Sequence, residues 1–130
     1  MSAYKTIQCS LKDRNILIES LKNIGWEPVC YKAAKSLNGF EGDARPQKAE
    51  IVVPKRQISA FSNDLGFSYD GQNKEYLMLC SLYDLHSGVG DKVQQSYATT
   101  AIKKALEKNK FNLKIESKDE KIIIKAEKII

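Results

Sequence analysis

Little in this chain suits reactive or metal-binding chemistry. Its 130 residues include three cysteines, Cys9, Cys30 and Cys80, and a single histidine, His86. The cysteines form an odd set with no close-spaced couple of the kind zinc sites use, so reduced, core-filling thiols are expected. No apolar run approaches the ~20 residues that span a bilayer. Met1 to Gln8 lacks the positive start and apolar middle of a secretion signal. These absences predict a cytoplasmic or equivalent reducing compartment, with no membrane partner, no cofactor and no metal. Arginine is also scarce: only Arg14, Arg45 and Arg56 stand among 21 basic residues. Lysine lacks the planar fork that recognises phosphate or guanine with two parallel bonds. Internal repeats and low-complexity tracts are absent as well.

What is present describes an ordinary globular domain, with 42% apolar, 28% charged and 8% aromatic residues and a net charge of +5. A chain of this length buries enough surface for one core, so a single domain over residues 1–130 is expected. The charge is uneven: residues 1–60 and 91–130 are each basic, whereas 61–90 carry Asp64, Asp70, Glu75 and Asp84 against Lys74 alone. Folding is expected to gather those four carboxylates away from the Lys-rich C-terminal segment.

Tyr4 to Leu11 alternates, with Ile7, Cys9 and Leu11 on one side, as a half-buried strand does. Asp13 offers an N-cap, Leu17, Leu21 and Ile24 follow at helical spacing, and Gly25 suits the left-handed stop. A short strand is predicted over Trp26 to Tyr31, with Pro28 arguing for an edge. Lys32 to Pro46 reads as an exposed loop, Lys48 to Val53 as a strand, and Lys55 to Asn63 as a polar connection. Leu65, Phe67 and Tyr69 alternate up to the turn signal Asp70-Gly71. The return strand runs from Glu75 to Tyr83, apolar on both faces as a covered central strand is. After a loop from Asp84 to Gly90, a helix over Asp91 to Lys108 carries the stripe Val93, Tyr97, Ala98, Ala101, Ile102, Ala105 and Leu106. Phe111, Leu113 and Ile115, a charged turn at Ser117 to Glu120, then Ile122, Ile124 and Ala126 predict a terminal hairpin. The order favours an α+β fold, a largely antiparallel sheet of about six or seven strands with two helices on one face.

Several short motifs fall in one ordered series: Gly39-Phe40-Glu41-Gly42, Lys48-Ala49-Glu50-Ile51-Val52-Val53, Asp64-Leu65-Gly66-Phe67, Gly71, Tyr76, Gln95, Tyr97-Ala98 and Phe111. Together they resemble the family found in cyanobacteria and plastid genomes as hypothetical chloroplast reading frame thirty-five. That family typically has an acidic residue and two tryptophans on the strand after the hairpin, where this chain has Cys80, Ser81, Leu82 and Tyr83. The resemblance implies a single small domain, supplies no catalytic residue, and would extend the expected compartment to the plastid stroma.

Candidate sites are few. Gly88-Val89-Gly90-Asp91-Lys92 precedes a helix where amides can hold a phosphate, but Asp91 is better placed to cap that helix and repel an anion. Asp84, His86 and Ser87 supply the residue types of a triad within four positions, yet working triads draw on distant segments. The 32–46 loop places Lys32, Lys35 and Arg45 around Phe40, a set that can clamp a backbone phosphate and stack one base, opposed by Glu41 and Asp43. Tyr69, Tyr76 and Tyr83 are expected mainly as core rings. A final strand at a sheet edge offers a route to an oligomer, unless Lys121, Lys125 and Lys128 protect it. The reading is a small non-catalytic interaction or ligand-binding module, taking a protein partner or small ligand through Lys35, Phe40, Arg45, Lys48, Tyr83, Asp84 and His86. A nucleic-acid or nucleotide binder using Lys-rich surfaces is the second reading, and an enzyme the third.

Overall fold

The alternation of Tyr4 to Leu11 forms a strand, β1 (Tyr4–Leu11), whose Ile7, Cys9 and Leu11 turn inward. The computed structural model describes residues 2–108, 111–118 and 121–128, the last two spans as backbone strands. A helix follows, α1 (Arg14–Ile24), capped as its residues dictate: Asp13 Oδ1 accepts from the Ile16 amide at 3.0 Å, and Gly25 takes φ +107° at the stop. Leu17 and Leu21 on its inner face are fully buried.

The chain continues through β2 (Val29–Asn38), β3 (Ala44–Val53), the single turn α2 (Lys55–Ile58), β4 (Leu65–Asp70) and β5 (Glu75–Ser81). Then come α3 (Leu82–His86), α4 (Val89–Lys108), β6 (Phe111–Lys118) and β7 (Lys121–Lys128). Strands β1-β5-β4-β3-β2 form one five-stranded antiparallel sheet, and β6 and β7 pair separately as a two-stranded sheet. The fold is α+β as expected, with the strands divided five and two instead of joined in one sheet. β1 and β2 lie on opposite edges, so α1 carries the chain back over roughly 16 Å, close to the ~19 Å breadth of five strands.

Both long helices cover one face. Leu17 and Leu21 of α1 and Val89 and Val93 of α4 close on Ile51, Val53, Phe67, Met78 and Cys80. The contact between α1 and α4 is polar where the sequence predicts an apolar stripe. Ser96 Oγ donates to Ser20 O, Asn23 Nδ2 to Thr100 Oγ1, and Tyr97 Oη accepts the amides of Lys12 and Asp13, while Lys104 pairs with Glu19 at 2.6 Å. Ala98, Ile102 and Ala105 consequently lie on the exposed side of α4.

The opposite face holds a smaller cluster of Leu37, Ala49, Val52 and Leu79, joined by Tyr4 and Tyr31. It exists because Lys32 to Pro46 is not the expected loop but the outer half of a β2–β3 hairpin. Six β2 residues, Cys30 to Lys35, run against only three of β3, Ile51 to Ala49, a large bulge that breaks the alternation and turns the hairpin across the sheet. Leu37 and Ala49 land on Gly66, and Asn38 exchanges backbone bonds with Asp64, its carbonyl accepting the Asp64 amide and its own amide reaching Asp64 Oδ2 at 2.8 Å. The Asp70-Gly71 turn forms as predicted, with Asp70 Oδ1 accepting from the Gln72 amide. The return strand stops two residues early. Ser81 Oγ accepts the Asp84 amide and starts α3, which places Tyr83 on a helical turn instead of a strand.

The four carboxylates of the acidic stretch do not gather. Asp70 stands opposite Glu75 at one end of the β4–β5 pair, whereas Asp64 accepts the amides of Asn38 and Lys55 and Asp84 accepts that of Asn63. The C-terminal lysines lie outside the residues whose side chains are described, as do the groups of the expected β7 edge.

Candidate functional site

The tip of the folded-over hairpin assembles a pocket. Gly39-Phe40-Glu41-Gly42 makes the turn: the Gly39 amide donates to Asp43 O at 2.8 Å, the Gly42 amide to Gly39 O, and Gly42 adopts φ +82°. A side chain at Gly39 would meet Asp43 Oδ1 at 2.5 Å and Arg45 Nε at 2.9 Å, so the bare Cα there lets an ion pair pack beneath the turn. Arg45 Nε lies 3.3 Å from Asp43 Oδ2, an ion pair without an aligned hydrogen bond at that nitrogen. The same guanidinium sits 5.3 Å from the Tyr4 ring centroid and donates through Nη2 to Ser2 O.

Three rings from three segments close the pocket: Phe40 of the turn, Phe61 of the α2–β4 connection and Tyr83 of α3. They are 46%, 63% and 42% exposed, half of the large apolar side chains left open among the described residues. Phe40 and Phe61 stand 5.7 Å apart between centroids, tilted by 48°. With Ser2, Glu41, Asp43, Arg45 and Asn63 they line a cavity of about 370 Å³.

A buried polar network supports the floor. Asn63 Oδ1 accepts the Phe40 amide at 2.8 Å, its Nδ2 donates to Ser81 Oγ at 3.0 Å, and its own amide donates to Asp84 Oδ2 at 3.1 Å. Ser81 Oγ also donates to Asp84 Oδ2 at 2.8 Å. Asp84 is 1% exposed, and its Oδ1 has no hydrogen-bond partner among the described residues. Asp64 Oδ1 accepts the Lys55 amide, and Asp64 O accepts from the Tyr4 hydroxyl at 2.5 Å. These carboxylates are felt nearby. Burial, then the charge of Asp64, raises the Tyr4 hydroxyl well above its ordinary range against the opposing pull of Arg45. Burial, then Asp84, pushes the Cys80 thiol up to about 12.

Of the seven residues singled out in the sequence, Phe40, Arg45 and Tyr83 line this pocket, and Asp84 lies behind it through Asn63. The other three go elsewhere. Lys35 covers the Tyr31 ring at 4.9 Å, Lys48 is exposed on β3 opposite Ser36, and His86 is exposed at the end of α3. Of the cations grouped around Phe40 in the sequence, Lys35 thus lies over the Tyr31 ring and Arg45 is paired with Asp43. Asp84 and Ser87 do not join His86: Asp84 is held by Ser81 and Asn63, and Ser87 Oγ donates to Tyr83 O. Gly90 serves packing, since a side chain there would meet Leu85 at 3.0 Å, and α4 begins at Val89, two residues before the expected cap Asp91.

Phe61 and Asn63 were missed by sequence reasoning. Phe61 stood as one aromatic in a polar stretch, and Asn63 directly precedes the Asp64-Leu65-Gly66-Phe67 motif. No group of three His, Cys, Asp or Glu side chains is arranged for a metal among the described residues. Their helices include none long and apolar enough to cross a membrane.

Fold and pocket together define a two-layer α+β domain whose sheet carries helices on one face and a folded-over hairpin on the other. The chain belongs to the family described as protein of unknown function DUF1257, which matches residues 20–125. Comparison with curated proteins finds no match, and comparison with solved structures finds none either.

Proposed function

We propose that this protein is a non-catalytic binding module that receives an apolar group of a protein partner or small ligand between Phe40, Phe61 and Tyr83. The observation that carries this reading is the convergence of three part-exposed rings from separate segments on one cavity of about 370 Å³. Open aromatic side chains cost solvation unless something covers them, and pockets with apolar walls and a few fixed polar groups are the usual form of a ligand site. The walls are pre-formed, because the Asn63 network and the Asp43–Arg45 pair hold the turn in place.

The motif series also supports a finer kinship, with the cyanobacterial and plastid reading-frame family. Gly39, Phe40 and Glu41 shape the pocket and Gly66 seats the hairpin, so the resemblance falls on the parts that build the site. Three free thiols suit a reducing compartment, cytoplasmic or stromal.

Titration of the isotope-labelled chain with p-cresol, followed by amide NMR, tests the binding reading. Shifts centred on Phe40, Phe61 and Tyr83, lost in Phe61→Ala and Tyr83→Ala, are expected. Shifts absent from these positions up to the solubility of the probe, or equal in the variants, would overturn it.

A further inference from the structure

We infer that the group this pocket receives is a basic side chain, lysine or arginine, presented by a partner protein. The inference rests on the binding reading above and adds the chemistry of the occupant.

The first argument is the nature of the walls. The walls are aromatic, Phe40, Phe61 and Tyr83, and the face of such a ring carries partial negative charge and attracts cations. An alkyl stem ending in a charge matches such walls, since the stem is covered by the rings and the head reaches the polar rim.

The second argument is the balance of charge. Glu41 lines the pocket, is exposed and makes no ion pair among the described residues. Asp43 and Arg45 neutralise one another, and the Arg45 guanidinium is already held by Tyr4 and Ser2. Asp64 and Asp84 stand behind the floor with backbone amides and the Ser81 hydroxyl as their partners, not cations. The Lys55 ammonium donates to Gly39 O and Phe40 O at 2.8 and 3.1 Å and is held by the backbone of the turn. The lining itself thus holds the carboxylates of Glu41 and Asp43 against the guanidinium of Arg45, a local negative excess in a chain of net +5.

An anionic occupant would meet Glu41 beside an Arg45 already paired with Asp43. A neutral one would leave Glu41 without a partner. The cavity, about 370 Å³, lies at the small end of the roughly 300 to 1,000 Å³ range of ligand sites and suits one long side chain.

The test compares N-acetyl, N-methylamide derivatives of lysine, arginine, norleucine and glutamate on the full chain, by amide NMR at 150 mM salt, with p-cresol alongside. The lysine and arginine derivatives are expected to shift Phe40, Phe61 and Tyr83 with affinity about tenfold above norleucine, and glutamate to leave them unmoved. Glu41→Gln is expected to lower the preference for lysine over norleucine several-fold. Norleucine or glutamate binding as tightly as lysine, p-cresol binding without lysine, or an unchanged preference in Glu41→Gln overturns the inference and leaves the binding reading standing. Silence from every probe, p-cresol included, removes both.

Discussion

Gly66 and Ala49 meet across the second face of the sheet so closely that a Cβ on Gly66 would stand 2.8 Å from the Ala49 Cβ. The Leu37 methyl groups are only 2.9 Å from the same point. This contact seats the outer half of the β2–β3 hairpin, and with it the tip that carries Phe40, Asp43 and Arg45 into the pocket.

Gly66→Ala is therefore expected to destabilise the protein by about 1–3 kcal/mol through overpacking. Ala49→Gly in the same chain should recover only part of that loss, because the Leu37 contact persists. Urea unfolding of the two variants measures both quantities. In Gly66→Ala the amide resonances of Gly39 to Asp43 should also move, as the hairpin shifts outward.

Asp84 is buried and serves as the acceptor for Asn63 and Ser81. Asp84→Ala leaves that amide and hydroxyl without an acceptor and should cost about 2–3 kcal/mol. Asp84→Asn keeps an acceptor in place and should cost less. Chemical denaturation ranks the two, and equal losses would mean that the charge, not the hydrogen bonds, sets the role of this residue.

Arg45 joins Tyr4, Asp43 and Ser2, which sit on different segments. Lysine has neither the planar face nor the fork to make all three contacts. Arg45→Lys is expected to destabilise by about 1 kcal/mol and Arg45→Ala by about 2 kcal/mol, measured by thermal or urea unfolding. A lysine variant as stable as the parent would show that only the charge beside Asp43 matters.

The three thiols should differ in reactivity and two of them in their effect on stability. Cys30 is exposed, whereas burial and then Glu75 push Cys9 up to about 11, and burial and then Asp84 push Cys80 up to about 12. At pH 8 a disulfide-exchange reagent should modify one thiol quickly, a phase that Cys30→Ser removes, and the others only with unfolding. The unfolded thiols titrate near 9.0, so above that pH the folded chain holds protons that the unfolded chain has released. The stabilisation is complete below pH 9 and falls as pH rises towards 11 and 12. Cys80→Ala should flatten that decline in denaturation curves recorded from pH 8 to 11.

Much of the helix-bearing layer was legible because its signals are local. Asp13, Leu17, Leu21 and Gly25 specify α1 through capping and period, and Asp70-Gly71 between alternating segments specifies the β4–β5 hairpin. The β2–β3 hairpin was not legible, since its bulge breaks the alternation and leaves Lys32, Ala33, Ala34 and Lys35 exposed in succession. Its reason for folding is the landing of Leu37 and Ala49 on a glycine 17 positions beyond Ala49. Tyr83 was misplaced for a related reason: apolar residues continue past Ser81, and only the Ser81–Asp84 bond marks the change from strand to helix. On α4, Ala98 and Ile102 continue an apolar period, yet the bond Ser96 donates to Ser20 and those Thr100 and Tyr97 accept from Asn23, Lys12 and Asp13 decide which side faces inward.

The sequence by itself determined the α+β class and the order of most elements, because turn residues, caps and hydrophobic periods act over a few neighbouring positions, and it offered Phe40, Arg45 and Tyr83 only as candidates. Tertiary structure alone decided that those three meet Phe61 and Asn63, that Lys35, Lys48 and His86 stay apart from them, and that Asp84 is enclosed. The physical reason is that a bulged hairpin folds across a sheet according to what it finds there, and here it finds the bare Cα of Gly66.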